Sequence, residues 1–370
     1  MEVFKPEKKS YKETRIIGEI PEKMKESIRK RYSDLNENHL INLSEQDLQR
    51  LKLTEREKTP EEIELIKAAD EEINKMMEEL DIQPFNIPTD NVHVVSNYLP
   101  SATGKADPNR KMVLLDNDKC QDLAYFGAVA FHELFHLKGF HSVKVETREK
   151  TEGNPEGLLY AIRKTLGIKK VVESDTQKYR MGLQINTPVK KQERLDSQNK
   201  NNSVGYTFSF SGLEEAITAE MEKNYFKKLI NDPVLKNQKE WLESDAAKKI
   251  KEEIAQKEKI PVEEIFSVTK DGKYKACSYP TQRKVLSLLT SEIYEKNKDR
   301  FASQNDVLKI FIKGHFTGKL LEISKLISDS FGNHGLKIAA GMTMFPEQAE
   351  GTYELLQIEK ARQKIKNLAN

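Results

Sequence analysis

The stretch from 122 to 137 constrains this chain more than any other, because it sets three ionisable side chains into an almost wholly apolar run. Ala128, Val129, Ala130 and Phe131 lead directly into His132, Glu133, Leu134, Phe135 and His136. The run is long enough for a helix, and Asp116, Asn117 and Asp118 ahead of it offer N-caps. Such a helix is expected to be buried, and two imidazoles and a carboxylate are costly to bury without partners. Their spacing supplies a reason for them. Residues four apart lie about 40° apart around an α-helix and one turn along it, so His132 and His136 project side by side. Two imidazoles so placed can meet one metal ion, and neutral imidazole suits zinc. Glu133 points about 100° round from His132, too far to join them comfortably as a ligand. It can instead reach a water held beside the metal and accept its proton. With 7 His in 370 residues, chance would place this HExxH pattern on the order of 0.01 times in such a chain.

The rest of the composition narrows the function classes. Basic and acidic side chains number 61 and 59, for a formal charge of +2, so no strongly basic face for nucleic acid is expected. No apolar run approaches the roughly 20 residues needed to cross a bilayer, so no membrane partner is expected. The opening segment, MEVFKPEKKSYKETR, has no apolar stretch of the kind a secretory signal carries. Only two cysteines occur, Cys120 and Cys277, with no CxxC, which excludes a disulfide scaffold or a Cys-rich zinc module. Together these features predict a cytoplasmic protein. No GxGxxG is present, and Thr103-Gly104-Lys105 lacks the upstream glycine of a phosphate-binding loop.

Along the chain, residues 1–82 are densely charged, with apolar residues at helical spacing. Thr59, Pro60 and Glu62 form the signature of a capping box, followed by Ile63, Ile66, Ala69, Ile73, Met76 and Leu80 every three or four residues. Residues 1–82 are therefore expected to form a helical N-terminal extension. The two prolines of 83–90 mark a boundary. Strands are predicted at 92–96 and 111–115, then the helix at 122–137. From 141 to 205 the chain reads as an irregular insertion, with a short helix near 155–166, a strand at 179–187 and a polar linker at 190–202. A second ordered stretch begins at Tyr206. Helices are then expected at 234–257, 281–296, 305–331 and 347–368. The division that results is an extension at 1–82, a core at 83–230 and a helical C-terminal subdomain at 231–370.

Phe131-His132-Glu133-Leu134-Phe135-His136 resembles the active-site helix of the zincin metallopeptidases. The resemblance implies an α+β fold: a small mixed sheet, whose edge strand runs along a bound peptide, followed by the HExxH helix. Lys111 to Asp116 takes the place of the strand just before that helix. The third ligand separates the branches of the family. Metzincins carry a third His six residues after the second, a position occupied here by Ser142, whereas His141 lies one residue early. Gluzincins take a glutamate from a second helix. Leu213-Glu214-Glu215-Ala216-Ile217-Thr218 resembles their Glu-Ala-Ile-Ser and Glu-Gly-Leu-Thr patterns, and that register makes Glu215 the ligand. On a helical wheel Glu215 faces away from Leu213, Ile217 and Met221, consistent with that role. Two departures stand out. Ala219 occupies the place where thermolysin-like enzymes put an Asp that orients a zinc-bound His, and 78 residues lie between His136 and Glu215.

The resemblance thus implies a zinc-dependent peptidase acting on a peptide or protein substrate. His132, His136 and Glu215 would hold Zn²⁺ and Glu133 would be general base and then acid. Tyr279, His315 and His334 are candidate donors to the scissile carbonyl oxygen. The alternative is a binding or regulatory protein that keeps the metal site without catalysis.

Overall fold

The structure is a computed structural model, and it describes residues 15–17, 25, 44–99, 101–108, 110–149, 172–189 and 205–369. After β1 (Arg15–Ile17), the chain is described from α1 (Glu45–Thr54) through β2 (Glu55–Arg56) to α2 (Pro60–Glu79). The capping box expected at Thr59 is present. Thr59 Oγ1 accepts from the Glu62 amide at 3.2 Å, and Glu62 Oε2 accepts from the Thr59 amide at 2.9 Å. The buried face of α2 comprises Leu65, Ile66, Ala69, Ile73 and Met77, while Ile63 and Met76 lie partly exposed at its margin. Asp70 shares that face and holds Lys138 Nζ at 2.7 Å, a buried ion pair that locks α2 onto the end of the HExxH helix.

A four-stranded mixed sheet follows, with β2 at one edge. Its inner strands, β3 (Val92–Val95) and β5 (Met112–Asp116), run parallel and are buried throughout. This is why both read as mostly apolar runs rather than alternating ones, with His93 the polar exception in β3. The strand β4 (Gly104–Asp107) pairs antiparallel with β5 and ends the sheet among the described residues. A turn held by Asp116 Oδ1, which accepts from the amides of Asp118 and Lys119, leads into α3 (Leu123–Lys138). The cap of α3 is Asp122, whose side chain accepts from the Tyr125 amide at 2.8 Å.

Residues 141–149 and 172–189 are more regular than expected, and the strand expected at 179–187 spans the end of one strand and the start of the next. They form β6 (His141–Glu149), β7 (Val172–Met181) and β8 (Gln184–Val189), which with β9 (Gly205–Ser209) make an antiparallel ladder. The short strand β1 adds to β6 in parallel. Val143, Val145 and Thr147 alternate with Lys144, Glu146 and Arg148. That period-two pattern is hidden by the density of charge around it. The helix expected at 155–166 and the linker at 190–202 lie outside the described residues.

The C-terminal part is helical as expected, with additional breaks. It begins with α4 (Ser211–Leu229), which lies along α3. Ser244 ends α5 (Lys236–Glu243) and caps α6 (Asp245–Glu258), dividing the segment expected to be one helix. A hairpin of β10 (Ile265–Val268) and β11 (Tyr274–Ala276) leads to α7 (Pro280–Lys296). The helix expected at 305–331 is broken by Gly318, whose φ of +70° suits a glycine C-cap, into α8 (Gln304–Thr317) and α9 (Leu320–Gly341). Helix α9 is itself interrupted by the non-helical backbone of Gly332 (φ +74°, ψ 171°), one residue past the expected end. The last helix is α10 (Pro346–Ala369). One cluster of buried apolar side chains extends from Leu65 on α2 through Phe131 and Ile217 to Leu356 on α10. The fold is therefore α+β, and α3 lies at its centre. None of the described helices is long and apolar enough to cross a membrane.

Candidate metal centre

Two helices build the site. On α3, His132 and His136 point the same way, with ring centroids 4.9 Å apart. Helix α4 lies against that face. Its entry is held by Phe210, with φ at +61°, and by the Phe210 and Gly212 amides, which donate to the carbonyls of Ala340 and Met342. This docking aims Glu215 between the imidazoles: its Oε2 lies 3.5 Å from His132 Nε2 and 3.4 Å from His136 Nε2. Those separations are too long for good hydrogen bonds, and Glu215 Oε2 is buried without any. They match the edges of a tetrahedron. Four ligands at about 2.0–2.2 Å from one ion stand roughly 3.3–3.6 Å apart. His132, His136 and Glu215 thus form a buried group whose ligand atoms all lie within 4.8 Å of one another and can hold a metal ion. The chain matches no family model, no curated protein and no solved structure.

The far nitrogens of both imidazoles face carboxylates of the same helix. His132 Nδ1 lies 2.9 Å from Glu222 Oε2. His136 Nδ1 lies 3.4 Å from Glu214 Oε1 and makes no hydrogen bond. Neither carboxylate was singled out as functional from the sequence. Glu222 was nonetheless legible there, since a residue seven after Glu215 returns to the same helix face after two turns. It sets a carboxylate against His132 Nδ1, where Ala219 offers none.

The charges follow from this enclosure. Burial alone would raise the Glu215 pKa, but His136 and then His132 opposite it hold it well below the usual carboxylate range. Burial likewise opposes charge on the imidazoles and is outweighed. Glu215 and Glu222 raise His132 well above its ordinary value, and Glu215 and Glu214 push His136 up to about 10. The metal-free site is therefore protonated on both rings near neutral pH. A metal requires both rings neutral, so its uptake should release about two protons per ion at pH 7, and affinity should fall about 100-fold per pH unit lowered. Calorimetric titration in two buffers of different ionisation enthalpy measures that release. A value near zero would contradict the charge assignment.

Glu133 is buried beside the group without belonging to it. Its carboxylate takes a hydrogen bond from the Ala106 amide on β4, and it lies so close to that strand that a Cβ on Gly104 would stand 2.7 Å from its Oε1. Burial raises its pKa, the two imidazoles pull it back and Glu215 raises it again, leaving it above the ordinary glutamate value. Tyr279 also stands beside the group. Its backbone has φ at +52°, immediately before Pro280 opens α7, and its ring stacks 6.1 Å from that of His132. Burial first, then the Glu215 and Glu133 carboxylates, hold its phenol far above the usual value, so the hydroxyl keeps its proton.

The remaining histidines go elsewhere. His141 opens β6, and its Nε2 donates to the Leu137 carbonyl at 3.1 Å, so it stands outside the ligand group. Burial and then Lys111 lower its pKa well below the ordinary value. His315 is fully buried with both nitrogens engaged, which leaves it nothing to offer a substrate. His334 is exposed and pairs with Glu359 at 3.0 Å. Of the three candidate donors, the structure brings only Tyr279 to the metal group.

Proposed function

We propose that this protein is a zinc-dependent peptidase of the gluzincin arrangement. The observation that carries the reading is the position of Glu133. It is pinned beside two imidazoles and a carboxylate that can hold a metal, yet is itself left free of that group. Two His and a Glu form the donor set of a catalytic zinc site that keeps a fourth position open. Zinc bound there would polarise both a water and the carbonyl of the bond to be cut.

The chain's own residues supply the rest. Glu133, raised above the ordinary glutamate value, is suited to take the proton of the attacking water and pass it to the leaving amine. Tyr279, fixed by its stack on His132, has a proton to donate toward the carbonyl oxygen as charge develops. The outer edge of β4 pairs with no strand among the described residues. An extended peptide added there would pass Gly104, where the missing side chain leaves Glu133 within reach. Cys120 and Cys277 are free and buried, which suits a reducing compartment such as the cytoplasm.

The test is hydrolysis of a mixed peptide library by zinc-loaded protein, with and without a chelator. Cleavage that the chelator abolishes and zinc restores is the expected result. Protein that binds zinc and cleaves nothing would instead be a binding or regulatory module.

A further inference from the structure

Glu214 is fully buried, one residue before Glu215, and turned about 100° from it around the helix. Its carboxylate accepts from His315 Nδ1 at 2.6 Å and from the Leu183 amide at 2.7 Å. His315 in turn donates from Nε2 to the carbonyl of Phe135, the residue before His136, at 3.0 Å and stacks on the Phe135 ring at 4.2 Å. The chain makes room for this contact. Gly182, at φ +53°, lies where a Cβ would come 2.4 Å from the Glu214 carboxylate. His136 Nδ1 faces Glu214 across this enclosure, buried, 3.4 Å away and without a hydrogen bond.

A metal on His136 Nε2 obliges Nδ1 to carry the ring's proton, and Glu214 Oε1 is the acceptor that faces it. We propose that Glu214 is the positioning residue for His136, so that adjacent glutamates address the two ends of one imidazole. Glu215 shares the metal with Nε2, and Glu214 accepts a hydrogen bond from Nδ1–H. Glu222 does the same for His132, which gives each imidazole its own carboxylate. His315, on α8, anchors Glu214 and ties the ligand helix to the C-terminal helices. The proposal rests on the metal site alone and is independent of peptidase chemistry.

The experiment is zinc affinity, measured by competition with a chromogenic chelator, for the wild type, Glu214→Gln and Glu214→Asp. The Gln keeps the shape and the bond from the Leu183 amide, while the Asp keeps the charge one methylene further back. Both should bind zinc about 10- to 100-fold more weakly, the range for a lost orienting partner. A second readout needs no variant. In zinc-loaded wild type, the His136 Nδ1 proton should appear in the ¹⁵N–¹H spectrum, protected from exchange with water. A purely structural role would lower thermal stability and leave zinc affinity alone. Unchanged affinity in both variants, or a His136 Nδ1 proton in fast exchange, would overturn the assignment. A wild type that binds no zinc would remove its basis together with the metal reading, whereas a zinc-loaded wild type that cleaves no peptide would leave it standing.

Discussion

Replacing Glu133 with Gln is expected to lower peptide hydrolysis by about 10²- to 10⁴-fold, the usual range for a lost general base, with zinc content unchanged. The amide keeps the size of the side chain and can still face the Ala106 amide on β4, so the helix and its neighbours need not move. It loses the ability to accept a proton from water. The metal group is His132, His136 and Glu215, so the substitution takes away no ligand. Turnover and metal content measured on the same preparation separate the two effects. Wild-type turnover by Glu133→Gln would refute the catalytic assignment, while loss of zinc would place Glu133 among the ligands.

Glu215→Ala and His141→Ala should part company in metal affinity. The first removes the oxygen that stands 3.4–3.5 Å from both imidazole nitrogens. Losing a metal bond should cost more than the roughly 10- to 100-fold that an orienting partner typically contributes. The second removes a ring whose Nε2 is spent on the Leu137 carbonyl, so zinc affinity should stay within a few-fold of wild type, even if that buried side chain makes the variant less stable. Equilibrium dialysis of the three proteins against zinc reads the difference directly. Strong binding by Glu215→Ala together with weak binding by His141→Ala would reverse the ligand assignment.

The outer parts of this result were open to inspection before any coordinates. The capping box at Thr59 and the apolar run after Asp122 specify helices through local hydrogen bonds and periodicity, and both helices occur within a residue or so of expectation. Of the ladder of β6, β7 and β8, the sequence showed only the strand expected at 179–187, because alternation among so many charged residues carries little hydrophobic contrast. The break at Gly318 escaped because apolar residues continue on both sides of it, whereas the left-handed turn depends on one glycine.

By itself the sequence determined that His132 and His136 share one helix face with Glu133 turned aside, because four-residue spacing and helical geometry leave no other arrangement. The resemblance of 213–218 to the gluzincin pattern pointed to Glu215 among its neighbours. Only the tertiary structure decided what those residues meet. The docking of α4 on α3 brings Glu215 to both rings across 78 intervening residues, and it turns Glu222 and Glu214, two acids among 59, toward the far nitrogens. The same packing spends His315 on Glu214 and brings Tyr279 against His132. Local spacing cannot encode such meetings. They depend on which helix faces bury their apolar area together, a property of the whole core rather than of any one segment.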